Sequence, residues 1–195
     1  MGPIVARHPG NLARRYNSGM QNCVLTSHPA SACKAVQRID VTLQRLDGTL
    51  QTLFRIFGDF SRLVVPEPEQ PKRRDALWRH TCCEVFVGAR DSQEYYEFNF
   101  APSTAWAAYR FSAYRTGMAT AEVSGPRVSV ERFDDRLELS ASVNLRECLG
   151  LKGAYRVSPT CVIEEPGNNL SYWALKHVAD QPDFHHMASC NLELA

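Results

Sequence analysis

Glu84, Glu97, Asn99, Trp106 and Arg110 fall within one short stretch of the chain, with His80 just ahead of them. Carboxylates, an amide and a guanidinium are planar hydrogen-bonding groups, and an indole offers a flat apolar face. Together they suit a ligand that is polar at its edge and apolar on its face. Glu84 with Glu97 can also be read as the acid–base pair of a glycoside-cleaving site.

Three runs must position these side chains: Leu77 to Val87, Tyr95 to Phe100, and Trp106 to Phe111. All three alternate, as β-strands do when successive side chains point to opposite faces. Cys83, Val85, Val87, Tyr96, Phe98 and Phe100 make a natural core face, and Ala107, Tyr109 and Phe111 are assigned to it as well. His80, Cys82, Glu84, Phe86, Glu97, Asn99, Trp106 and Arg110 fall on the other side. Matching core to core pairs Val85 with Phe98, Val87 with Tyr96 and Cys83 with Phe100, which sets Glu84 opposite Asn99 and leaves Arg90 to Gln93 as a hairpin loop. A one-residue slip would turn the aromatics of the second run outward. The third run is joined through Ala101 to Thr104. A connection of four residues sets Trp106 opposite Asn99, and one of six sets Arg110 opposite Glu97. Both keep Trp106 and Arg110 on the polar side.

The 195 residues fit one domain with a substantial core. Lys and Arg number 22 against 21 Asp and Glu, a balance that argues against a nucleic-acid partner. Lys72-Arg73-Arg74 follows three prolines and reads as a solvated loop. No apolar run approaches a membrane span, and Arg7, Arg14 and Arg15 interrupt the start without a following apolar segment, so the expected compartment is the cytoplasm. Seven cysteines form no C-x-x-C arrangement, and adjacent Cys82 and Cys83 face apart on a strand; reduced thiols are expected.

Residues 1–20 read as a loose extension and 21–195 as the folded unit, with Met20 a possible start of packing. Strands are expected near Cys23 to Thr26, over Ile39-Val41-Leu43 and, after the Asp47-Gly48 turn, over Leu50 to Phe57. Val128 to Glu131 and Leu137 to Ala141 flank Asp134-Asp135 as another hairpin. Asn144 is placed to cap one short helical turn over Leu145 to Leu149, ended by Gly150. Tyr155 to Glu164, Leu170 to His177 and Ser189 to Leu194 complete about ten strands. The implied fold class is all-β: an antiparallel, jelly-roll-like β-sandwich.

Several chemistries compete. A sugar ring could stack on Trp106, with Glu84, Asn99 and Arg110 meeting its hydroxyls and Trp173 supplying a second ring. Alternatively both tryptophans are core aromatics and Glu84 pairs with Arg110. His177, His185 and His186 lie in one stretch, but Pro182 breaks the spacing, and adjacent histidines in a loop suit a hydrogen-bonded corner better than a metal site. Haem would need a histidine with Met118, Met187 or a second histidine, and no spacing is diagnostic. No nucleophile-elbow, phosphate-loop or dinucleotide motif occurs, and no catalytic residue is assigned.

Leu77 to Cys82, Tyr96 to Ser103 and Trp106 to Arg110, with His28-Pro29 and Pro182-Asp183-Phe184-His185-His186 near the ends, resemble the bacterial DOMON-like domains, relatives of the family-nine carbohydrate-binding modules. The resemblance covers roughly residues 22–194. It implies a β-sandwich that binds sugars or haem without catalysis. In the sugar-binding relatives two tryptophans clasp the saccharide; Trp106 and Trp173 would be that clasp here, with Glu84 and Asn99 as polar partners. Sugar-binding modules usually sit on secreted hydrolases, whereas this chain carries no hydrolase and reads as cytoplasmic. An intracellular sugar or sugar nucleotide, haem, or a scaffold without a ligand are the alternatives this leaves.

Overall fold

The structure, a computed structural model, describes residues 19–148, 150, 153–186 and 192–194. Its elements follow from period-two patterning punctuated by turns. In β2 (Val36–Leu46), Ile39, Val41 and Leu43 are buried while their neighbours are not. Asp47 and Gly48 both have positive φ, 49° and 77°, as a two-residue turn matching strand twist requires, and they deliver the chain into β3 (Thr49–Gly58) with Leu46 opposite Thr49. A side chain at position 48 would also meet the Arg146 side chain. The Asp134-Asp135 hairpin likewise joins β8 (Arg127–Arg132) to β9 (Arg136–Asn144). Asn144 does cap a helical turn, accepting from the Arg146 N–H, but the 3-10 turn covers only Leu145–Glu147.

The remaining strands are β1 (Met20–Ser27), β4 (Cys82–Ala89), β5 (Tyr95–Phe100), β6 (Trp106–Phe111), β7 (Ala119–Thr120), β10 (Tyr155–Glu165), β11 (Asn169–Ala174) and β12 (Leu192–Leu194). The all-β expectation holds. About ten strands were expected; twelve form one antiparallel sheet, in the order β7-β6-β5-β4-β10-β11-β1-β2-β3-β9-β8, with β12 beside β10. The first strand is the seam. Its residues Met20 to Leu25 pair with β2, while Thr26 and Ser27 pair with β11. The sheet curls across that seam so that one face closes on itself. Ile39, Phe54 and Leu139 from one half and Val85, Phe98 and Ile163 from the other meet in one core cluster, each essentially inaccessible to solvent.

Residues 1–18, most of the expected extension, and Met187 lie outside the described residues. No described helix is long and apolar enough to cross a membrane. The six described cysteines are all free, while Cys190 lies outside the described residues. Cys83 and Cys161 face each other across paired strands as free thiols, sulfurs 3.8 Å apart and hydrogen-bonded.

Candidate functional site

The face turned away from this core carries the polar candidates Glu84, Glu97 and Asn99. Between β4 and β5 the expected register is found: Cys83 with Phe100, Glu84 with Asn99, Val85 with Phe98 and Val87 with Tyr96. The loop runs one residue longer than expected, through Glu94. Glu84 and Glu97 therefore project from neighbouring strands as diagonal neighbours, a separation long side chains can span.

The sixth strand corrects the sequence reading. The connection from β5 runs through Ala101–Ala105, neither four nor six residues, and Trp106 pairs with Phe100. Thr104, at φ 68°, allows the tight turn, closed by Ala101 N–H donating to the Ala105 carbonyl at 2.9 Å. The odd connection inverts the face of every residue in β6. Trp106 joins the inner core, beneath the Arg73 guanidinium and against Gly125. Ala107, Tyr109 and Phe111, assigned by pattern to the core, lie instead on the face with Glu97 and Asn99. Arg110 sits opposite Tyr96, and its Nη2 donates to both oxygens of Glu94 at 2.8 and 2.9 Å, so it does not pair with Glu84.

Trp173 is also corrected. It lies in β11 opposite Cys161, packs in the inner core, and donates from Nε1 to Ser171 Oγ at 3.1 Å. Neither tryptophan of the expected clasp reaches the outer face. His80 is largely exposed, its Nδ1 2.7 Å from Glu164 Oε2, and does not line the cleft.

What the outer face does form is a cleft of about 350 Å³ with Glu84 and Glu97 among its lining residues. Its walls come from segments that fold over the sheet. Trp78 enters from a 3-10 turn, Leu77–Arg79, that follows left-handed Ala76 at φ 61°. The Trp78 ring meets Tyr109 edge-on at 5.6 Å, and the Tyr109 hydroxyl donates to Asp75 at 2.7 Å, which anchors the turn. Tyr172 lines the cleft from β11; Pro182, Phe184 and His185 close it from the C-terminal side, and Arg115 and Met118 from the β6–β7 connection. Trp78 is half-buried, unlike the fully packed Trp106 and Trp173. Trp78 falls inside the run read as the first strand, at the parity of His80 and Glu84, and Tyr172 inside another expected strand, yet the sequence reading singles out neither as a site residue. Trp78 in fact sits in a 3-10 turn ahead of β4.

The floor is polar and buried. Glu84, Glu97, Asn99 and Thr160 are all buried. Asn99 Nδ2 donates to Glu97 Oε1 at 2.7 Å, and Thr160 Oγ1 donates to Glu84 Oε2 at 3.3 Å. Glu84 Oε1 is buried without a hydrogen-bond partner. Burial, reinforced by Glu97, pushes the Glu84 carboxyl well above the usual carboxylate range; burial also raises Glu97, against the opposing hydrogen bond from Asn99. His185 is pushed down to about 4, first by burial and then by Arg115, so its ring is neutral at pH 7. The Tyr95 hydroxyl accepts from the Arg115 N–H at 3.2 Å and lies 2.8 Å from His185 Nδ1. If that hydroxyl donates to Nδ1, the ring proton sits on Nε2, 3.8 Å from Glu97 Oε2. His185 thus forms the hydrogen-bonded corner expected of its segment, and no cluster able to hold a metal ion occurs among the described residues.

No family model matches the chain, and no curated protein does. Solved structures do. A presumed carbohydrate-binding protein from Bacteroides uniformis ATCC 8492 matches with a TM-score of 0.63 at 11% identity, covering 87% of this chain and 84% of that one. That likeness shows a shared fold. A family-nine carbohydrate-binding module from Caldicellulosiruptor kristjanssonii in complex with glucose matches with a TM-score of 0.45 at 9% identity, over 90% of this chain and 82% of that one. One from the same organism with cellotriose matches at 0.44 and 11% identity, over 77% and 71%.

Proposed function

We propose that the protein binds a small carbohydrate, without catalysis, in the outer-face cleft. The observation that carries this reading is the buried, unpartnered Oε1 of Glu84 in a cleft walled by Trp78 and Tyr172. An orphaned buried acceptor costs free energy until a donor reaches it, and a sugar hydroxyl is such a donor. The ring's apolar face then stacks on the indole or phenol wall. Asn99 and Glu97 form a pre-set polar floor, so little ordering is needed on binding. In this reading Glu84, Glu97 and Asn99 keep the roles the sequence suggested, and Trp78 takes the place of Trp106. The buried carboxyls, raised above the usual range by burial, act as hydrogen-bonding groups here.

The fold shared with a presumed carbohydrate-binding protein agrees with the proposal, and a place among the DOMON-like relatives of the family-nine modules, with the curled sheet read as a jelly-roll-like sandwich, belongs to it. So does a cytoplasmic location, supported by the six free cysteines among the described residues. Calorimetric titration with glucose and short glucose oligomers tests it. Saturable binding that weakens at least about tenfold in Trp78→Ala is expected, the size of losing a stacked aromatic contact. No binding by any saccharide, together with a stoichiometric Soret band on haem addition, would replace it with the haem reading.

A further inference from the structure

The charge balance of the cleft goes one step further and rests on the carbohydrate reading of that same site. Two carboxyl groups stand on its floor, and the side chains around them are neutral or already committed. From β4, Cys82 is a buried thiol; from β5, Asn99 bonds to Glu97, and the Tyr95 hydroxyl is engaged with His185 and Arg115. From β6, Tyr109 donates to Asp75; from β10, Thr160 donates to Glu84. His185, on the C-terminal segment, faces Glu97 as a neutral ring. Arg115 is the one cation lining the cleft among the described residues; its Nη2 is held by Asp183 at 2.9 Å, and its charge also acts on Glu97, against the rise that burial causes. Among the described residues no ion pair includes Glu84.

We propose that the cleft selects a saccharide bearing a primary ammonium group, seated between Glu84 and Glu97 against the aromatic wall. An ammonium supplies three donors and a positive charge for Glu84, whose Oε1 is buried without a partner, and aromatic faces such as those of Trp78 and Tyr172 favour a cation. Charge-assisted hydrogen bonds to carboxylates exceed those of a hydroxyl. Occupancy ionises the carboxyl floor: a carboxyl O–H bond breaks, the proton leaves to the buffer, and the ligand keeps its three N–H bonds. Burial raises both carboxyls in the empty cleft, so a proton released on binding reports the ion pair formed.

The test titrates the full chain, at mildly acidic pH where the amines are charged, with glucosamine, glucose, N-acetylglucosamine and cyclohexylammonium, in buffers of different ionisation heat. Glucosamine is expected to bind about tenfold or more tighter than glucose or N-acetylglucosamine, with proton release that the neutral sugars lack. In Glu84→Gln the preference for glucosamine over glucose collapses towards unity and proton release falls. Should that variant fail to fold, Glu97→Gln gives the same readout. Glucose binding as tightly as glucosamine, or a preference unchanged by both substitutions, overturns the ammonium site and leaves carbohydrate binding standing. Cyclohexylammonium binding while none of the three sugars and no glucose oligomer does overturns the carbohydrate reading itself. Failure of all four ligands to bind overturns the ammonium site, and overturns the carbohydrate reading as well when the glucose oligomers also fail.

Discussion

The two faces of the β6-β5-β4-β10-β11 half of the sheet are built from the same strands and almost equally buried, yet they differ in kind. The inner face is predominantly apolar, with Arg110 and Ser171, the latter bonded to Trp173, as polar exceptions; it closes against the other half of the curled sheet, with Trp106 and Trp173 packed in it. The outer face is also covered, by Leu77, Trp78 and Phe184, but keeps two glutamates, an asparagine and a threonine beneath that cover. Burying carboxyls without charged partners costs stability. That cost is the ground on which the outer face is proposed as the binding side.

The sharpest way to break this contrast is to truncate the tryptophans. Trp106→Ala and Trp173→Ala should each lower stability by about 3–5 kcal/mol in urea denaturation, as cavities in a close-packed core do. Trp78→Ala should cost less than about 2 kcal/mol, because its ring is only half-buried. If Trp78 proves as costly as the other two, the cover is core and the cleft is an accident of packing.

Next in size is ligand affinity. Trp78→Ala should weaken saccharide binding by about 1–3 kcal/mol. Tyr172→Ala, on another wall, should weaken it in the same direction, measured by the same titration.

The buried acids give a pH signature. Because the folded values of Glu84 and Glu97 are raised, the native state binds more protons than the unfolded chain above the ordinary glutamate range, about pH 4.3, up through their folded values. Their contribution is present in full below that range and is lost as pH rises. The lowered His185 acts oppositely: its contribution is present above about pH 6.5 and is lost as pH falls towards its folded value of about 4. Comparing Glu84→Gln with the wild type removes the histidine effect, which both proteins share. The stability difference should move in the variant's favour as pH rises. A difference that is flat with pH would mean the carboxyls are not buried.

The smallest effect is expected at Arg110. Its guanidinium engages Glu94 on the other side of the strand from the cleft, so Arg110→Ala should leave saccharide affinity unchanged. A clear loss of affinity would return Arg110 to the site.

These contrasts also separate what the sequence discloses from what it hides. The register of β4 on β5 is legible because polar and apolar residues alternate cleanly there, so only one pairing buries every aromatic. The hairpins at Asp47-Gly48 and Asp134-Asp135 are legible from turn chemistry. The face of β6 is not, because both of its sides carry apolar residues: Trp106 and Ala108 inward, Ala107, Tyr109 and Phe111 outward, whereas β4 and β5 carry Glu84, Glu97 and Asn99 on one side only. With two apolar faces, hydrophobicity carries no parity, and one residue of loop length decides. The acids of the site come from strands and could be found by period. Its walls, Trp78 and His185, come from loops whose fold-over depends on long-range packing such as the Tyr109–Asp75 anchor, which no local pattern announces.

The most direct test follows saccharide addition by tryptophan fluorescence, since the chain has three tryptophans and only Trp78 lines the cleft. A saturable change is expected in the wild type. It should persist in Trp106→Phe and Trp173→Phe and disappear in Trp78→Phe. A signal that survives without Trp78 and vanishes without Trp106 would contradict the outer-face site.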